Sequence, residues 1–164
     1  MKIEIGVGMN VIKKSFVIGI CLLSFTGIAV AKDLKQRNLA QEEENRTLVI
    51  NFYNNFFNKH QVAEATKTLS EDYKQHNPYV ANGRAPAITY FEGFFKQNPQ
   101  SSNTIIRSSV EGDTVWLHVH SKINNDDLGK AVVDIFRVKD GKIVEHWDVI
   151  QNVPEQAENN NTMF

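Results

Sequence analysis

Five side chains on the expected C-terminal strands form a cluster of types that move protons: His118, His120, Asp134, His146 and Asp148. Asp134 carries the most information, because it interrupts Ala131-Val132-Val133 and Ile135-Phe136, a stretch apolar on both faces. A carboxylate in such a stretch must find a partner, or desolvation disfavours its charged form. That second case is what a general acid/base working near neutral pH requires. The structural alternative is pairing with Arg137 or with a neighbouring backbone amide. His118 and His120 stand two residues apart, so on a strand both project from one face, with about 6.6 Å between Cα atoms. Trp116 shares that face. On the last strand His146 and Asp148 share one face and Glu145, Trp147 and Val149 the other, and periodicity leaves open which of the two turns inward.

The same cluster contains metal-ligand types, since His118, His120, Asp134 and His146 would supply three imidazoles and a carboxylate. A His-x-His pair followed closely by Glu would suggest a metal barrel, but the segment 121–128 holds Asn and Asp and no Glu. A site without a bound metal is therefore expected. Nucleophilic catalysis lacks its signatures, for there is no Gly-x-Ser-x-Gly and no glycine-rich phosphate loop.

The elements that must position these residues follow from hydrophobic period. From Glu42 onward Val49, Phe52, Tyr53 and Phe56 fall at i, i+3, i+4 and i+7, with Leu48 and Phe57 widening the stripe. This predicts a helix ended by Asn58-Lys59-His60, whose aromatics read as core. A shorter helix is expected with Val62, Ala65, Thr66 and Leu69 on one face. Asn77-Pro78 marks a loop or short strand over 73–80, because the residue before a proline is pushed out of the α region. Asn82-Gly83 predicts a turn, and Pro86 suits the first turn of a third helix buried through Ala87, Ile88, Phe91, Phe94 and Phe95. After Pro99 the period becomes 2, predicting strands at 104–110, 114–122, 131–138 and 143–151. Three helices followed by an antiparallel meander make an α+β domain with the helices on one face of the sheet.

Composition sets outer bounds. The 164-residue chain carries 23% charged residues and a formal charge of −1, which gives no basic surface for nucleic acid or anionic membrane. Residues 1–31 have the form of a signal peptide. Lys13-Lys14 precedes an apolar run from Ser15 to Val30, and Ala29-Val30-Ala31 supplies the small-x-small cleavage pattern. Met1 and Met9 are both possible starts. Cleavage after Ala31 would remove Cys21, the only cysteine, leaving no disulfide and no thiolate nucleophile. The mature chain would hold 15 basic and 18 acidic residues, a formal charge of −3, with a periplasmic or secreted destination and no stable membrane association. Residues 32–41 read as a flexible lead-in and 42–164 as the domain.

Longer motifs carry a resemblance. Tyr73-x-x-His76-Asn77-Pro78, Gly83-Arg84-x-x-Ala87 and Glu111-Gly112-Asp113-x-Val115-x-x-His118-x-His120 come first along the chain. Then follow Gly129 to Arg137, Asp140 to Gln151, and Asn161-Thr162-Met163-Phe164. Together they resemble the SnoaL-like polyketide cyclase branch of the nuclear-transport-factor-2-like superfamily over residues 42–164. The resemblance implies a conical α+β fold, three helices closing over a strongly curved antiparallel sheet around an apolar pocket, with dimers formed through the outer sheet face. It also implies cofactor-independent aldol condensation, with an Asp on a central strand as acid/base and a His on the preceding strand beside it. Asp134 and His120 occupy those positions. His118, His146, Trp147, His76, Trp116, Tyr73 and Phe136 are then expected to bind substrate. The expected activity is that of a cyclase, lyase or isomerase acting on a small apolar carbonyl compound, and the alternative is an exported binding domain that uses the same pocket without catalysis.

Overall fold

The structure is a computed structural model that describes residues 37–164. The proposed signal peptide, Cys21 and the first part of the lead-in lie outside the described residues. Helix α1 spans Leu39–Tyr53 and passes into a π turn at Asn54–Asn58. A one-turn α2 at Val62–Ala65 and a 3₁₀ turn at Thr66–Thr68 lead into strand β1, Leu69–Gln75. Helix α3, Arg84–Gln97, precedes four strands: β2 Ser102–Glu111, β3 Thr114–Lys122, β4 Lys130–Lys139 and β5 Lys142–Asn152. Among the described residues no helix is long and apolar enough to cross a membrane.

The expected α+β arrangement of three helices on a sheet is the observed one, with two corrections. The sheet is mixed, in the order β1-β5-β4-β3-β2, because β1 runs parallel to β5 while the other pairs are antiparallel. The second concerns Val62, Ala65, Thr66 and Leu69, which are all buried as a helical face would bury them. The helix nevertheless ends after one turn, and Leu69 already belongs to a strand. Thr66 Oγ1 donates to Val62 O at 2.8 Å, a local bond that tightens the helix end. α1 begins at Leu39, where the Asn38 side chain caps it by accepting from the Gln41 amide at 3.2 Å.

Two polar residues anchor α1 to the β2–β3 turn. Glu42 is buried, accepts from the Gly112 amide at 3.0 Å and pairs with Arg37. The Arg37 guanidinium holds the Glu42 carboxyl below the usual carboxylate range. Asn45 donates to Gly112 O at 3.2 Å. The core itself lies between α1, its π turn and the inner sheet face, around Val49, Phe52, Phe56, Leu117, Phe136 and Ile143.

A cavity floored by a carboxylate and a histidine

Strand alternation decides which candidates meet. On β4 the buried positions are Val132, Asp134, Phe136 and Val138, so Asp134 faces the helices. Antiparallel register sets Asp134 opposite Asp148 and Phe136 opposite His146 on β5, so His146 and Asp148 turn inward as well. The parallel pairing of β1 adds a fourth inner position, Gln75 opposite His146. Parallel pairing thus delivers to the site a residue that a pure meander would have left out.

Asp134 is 5% exposed and His146 is 7% exposed. His146 Nε2 lies 3.0 Å from Asp134 Oδ1, and Tyr53 donates its hydroxyl to Asp134 Oδ2 at 2.6 Å. Asn103 on β2 donates to the Tyr53 oxygen at 2.9 Å. Tyr53 comes from the last position of α1, and the π turn after it, closed by Lys59 N donating to Asn54 O at 3.0 Å, brings Phe57 to the same cavity. His146 Nδ1 is 2.8 Å from Gln75 Oε1, and Asn77 donates its side-chain amide to Asp148 Oδ2 at 2.6 Å. Burial, reinforced by the Asp134 carboxylate, pushes the Tyr53 hydroxyl far above its ordinary value, and the same causes raise Tyr73. Both phenols therefore stay protonated, and Tyr53 can only donate to Asp134.

These groups floor a cavity of about 160 Å³. Its walls are aromatic, formed by Phe57 from the π turn and by Tyr90, Phe91, Phe94 and Phe95 from α3. Val80, Val132 and Ile150 add aliphatic surface, and Lys122 stands at the edge with its ammonium donating to Asn125 O at 3.0 Å. Asp134, His146 and Asp148 each offer one ligand-type atom, all within 4.8 Å of one another, so these three side chains could also hold a cation. The four-residue metal set read from sequence does not assemble, since only Asp134 and His146 of it converge.

Several sequence expectations are corrected by this geometry. The inner face of β3 is Val115, Leu117 and Val119, all fully buried, so His118, His120 and Trp116 project from the opposite face. His120 is absent from the cavity. Its Nε2 donates to Leu128 O at 2.8 Å and its ring stacks on Phe164 at 4.0 Å. His118 also stacks on Phe164, at 5.8 Å. Trp147 and His76 lie on the outer face too, stacked on each other at 4.6 Å, with His76 Nε2 2.8 Å from Glu145. Tyr73 and Phe136 are inner residues that lie under the site and do not line it: Tyr73 accepts from Gln75 Nε2 at 3.3 Å, and Phe136 packs on the His146 ring at 4.7 Å. Of the expected binding residues His146 alone reaches the cavity.

Sequence reading missed Gln75, Asn77 and Asn103 and counted Tyr53 as core. A usable signal existed for Tyr53, because a buried tyrosine hydroxyl needs a partner. No comparable signal marked the amides, which are ordinary surface residues in any sequence.

A family model described as a SnoaL-like domain matches residues 49–146. No curated protein matches the chain significantly. Among solved structures the chain is similar to a candidate ketosteroid isomerase from Kribbella flavida, at 19% identity over 76% of this chain and 90% of that one, with a TM-score of 0.60. It is similar to a nuclear-transport-factor-2-like protein of unknown function from Mesorhizobium loti, at 20% identity over 68% and 94% of the two chains, TM-score 0.58. A candidate polyketide cyclase from Bacillus cereus gives 25% identity over 65% and 74%, TM-score 0.53. These likenesses establish a shared conical α+β fold.

Proposed function

The chain belongs to the SnoaL-like domain family, and from that premise we propose that it is a cofactor-independent lyase, isomerase or aldol-type cyclase acting on a small, largely apolar carbonyl compound. The observation that carries this reading is the buried Asp134–His146 pair, 3.0 Å apart, at the floor of an aromatic-walled cavity. A carboxylate and an imidazole in hydrogen-bond contact can hold, give and take a proton beside a bound carbonyl. Enolate-forming reactions need one group to remove the proton next to the carbonyl and another to protonate or hydrogen-bond its oxygen. Asp134, His146 and Asp148 supply both within one cavity, and His146 takes the part that sequence reading gave to His120.

Cavity size narrows the substrate. An apolar cavity of about 150 Å³ accommodates benzene, so about 160 Å³ suits a monocyclic compound and is small for several fused rings. A panel of monocyclic ketones and enones, followed by NMR for proton exchange, isomerisation or condensation, tests the reading. Asp134→Asn should remove turnover while leaving folding intact, because the amide can still accept from Tyr53. Unchanged activity in that variant would sink the assignment.

Two further expectations belong to the same proposal. Exposed Trp116 (41%) and Val149 (67%) on the outer sheet face support pairing of two copies there, which sedimentation of the purified protein tests. Export with cleavage after Ala31 is tested by N-terminal sequencing of the mature protein.

A further inference from the structure

We propose that Asp148 is the base of this site, and that the Asp134–His146 pair, held in one protonation pattern by Gln75, is its acid. The assignment rests on the acid–base reading above and divides the roles within it.

The backbone N–H of Asn77 points at the Gln75 side chain, 3.0 Å from the atom placed as Oε1. A backbone N–H can only donate, so that atom is an acceptor and the orientation of the Gln75 amide is settled. The same Oε1 faces His146 Nδ1 at 2.8 Å, so Nδ1 carries a hydrogen and donates it. Two acceptor types then remain face to face across 3.0 Å, His146 Nε2 and Asp134 Oδ1. Exactly one donor hydrogen must lie between them for this contact to be favourable, whether it is written on the imidazole or on the carboxyl. The pair thus enters the reaction already holding a proton at the cavity floor.

Asp134 is poorly placed to take another. Its Oδ1 is engaged by that proton and its Oδ2 by the Tyr53 hydroxyl at 2.6 Å. Asp148 differs. Asn77 holds its Oδ2 at 2.6 Å, while Oδ1 has no hydrogen-bond partner among the described residues. Asp148 is half-buried, lines the cavity, and has no ion-pair partner among the described residues. It is therefore the cavity-lining carboxylate that keeps an oxygen free of hydrogen bonds to the described residues. Asn77 serves both halves of the site, its backbone orienting Gln75 and its side chain orienting Asp148.

The proton balance closes without a co-reactant. Asp148 takes the proton from the carbon next to the carbonyl, and that C–H electron pair becomes the C=C bond of an enol. The carbonyl π pair moves onto oxygen, which takes the proton held by Asp134 and His146. Asp148 is now a carboxylic acid and the pair has lost its hydrogen. Delivery of the Asp148 proton to the same carbon, or to one conjugated with it, and return of the enol proton to the pair restore the starting state.

Two measurements on the full mature chain test this. In ¹⁵N-histidine-labelled protein, the His146 resonances, assigned by their loss in His146→Gln, should show Nδ1 protonated. Gln75→Leu should abolish that pattern and Gln75→Glu, which keeps an acceptor, should retain it. An unprotonated Nδ1 in the wild type overturns the proposal without any activity measurement. Cyclohexanone in D₂O is the second probe. Wild-type protein should accelerate deuteration next to the carbonyl, Asp148→Asn should lower that acceleration by about 10²–10⁴-fold, and added formate should restore exchange to Asp148→Ala but not to Asp134→Ala. No acceleration by the wild type refutes the acid–base reading itself. Acceleration that persists undiminished in Asp148→Asn refutes only the division of roles.

Discussion

Replacing Tyr53 by Phe removes one oxygen and tests the centre of the network. Tyr53 is 1% exposed, and its hydroxyl donates to Asp134 at 2.6 Å while accepting from Asn103 at 2.9 Å. Phenylalanine fills nearly the same volume, so no sizeable cavity forms and the loss is chiefly polar. A hydrogen bond to a charged group contributes about 1.5–3 kcal/mol, and a buried acceptor left without its donor keeps its desolvation cost. We expect a loss of about 2 kcal/mol, which for a domain of this size lowers Tm by roughly 5–10 °C. Urea unfolding followed by circular dichroism should show a lower midpoint at unchanged slope, since the surface exposed on unfolding is the same. A cycle with Asp134→Asn should give a coupling of about 1 kcal/mol, because the two residues touch. If Tyr53→Phe stays within about 0.5 kcal/mol of wild type, typical of a surface change, the Tyr53–Asp134 contact does not hold the site and the hydrogen-bond inventory built on it fails.

Other consequences follow from residues around the site. Gly129 has φ +84°, and a Cβ there would lie 2.4 Å from Ser121 O and 2.7 Å from His120 Nε2. Gly129→Ala should cost about 2–4 kcal/mol in denaturant unfolding, combining strain and overpacking. His120→Ala should cost about 1 kcal/mol by freeing Leu128 O, yet leave turnover unchanged, which a parallel activity measurement checks. Asp127 accepts from the Ile123 and Gly129 amides, both at 2.9 Å, and these bonds hold its carboxyl below the usual value. Because the folded value is depressed, this stabilisation is complete above the unfolded value and is lost as pH falls through the folded one. Asp127→Asn should therefore be less stable than wild type at pH 7, with a gap that closes below about pH 4; a gap independent of pH would contradict the cause given.

Much of this fold was legible because its determinants are local. The i, i+3, i+4, i+7 stripe from Val49 to Phe56 is buried as its spacing assigns, and β3 and β4 alternate buried and less buried positions with the expected period of 2. Strand β1 was only partly legible: a short strand was one of two expectations for 73–80, but its start was hidden because it follows directly on a one-turn helix and continues that helix's apolar spacing through Leu69, and its partner β5 lies far along the chain. Asp134 was legible as a carboxylate that needed a partner. The partner was not, since His120 and His146 are equally plausible until the sheet has an inside. Three valines and a leucine settle it: Val115, Leu117 and Val119 bury one face of β3, Val132 marks the buried face of β4, and the histidines of β3 are left on the other side. His118-x-His120 alternates as a pocket pair would, but alternation fixes only that two residues share a face, never which face.

The dependence of the site on strand register has a further consequence for how it is built. Gln75 reaches His146 only because β1 lies parallel to β5 with Gln75 opposite His146. A slip of one residue would turn Gln75 to the outer face and bring exposed His76 inward. That register is not left to β1 alone. His76 N donates to His146 O at 3.0 Å, Gln75 N donates to Asn82 Oδ1 at 2.8 Å, and Gly83 N donates to Tyr73 O at 2.7 Å, so the loop after the strand folds back and pins its end. On the outer face the His76 ring stacks on Trp147 and bonds Glu145, fixing the same register from the other side. His76 and Trp147 therefore act on the cavity without touching it. Most of the site's polar groups come from strands, where register locks direction, with Tyr53 from α1 and Asn77 from the loop after β1 as the exceptions; its apolar walls come mainly from α3 and the π turn, where side chains can change size without disturbing that lock. One fold serving many functions is the expected outcome of such a division; on the proposed reading, Phe57, Tyr90, Phe91, Phe94 and Phe95 would set substrate size while β1, β4 and β5 carry the chemistry.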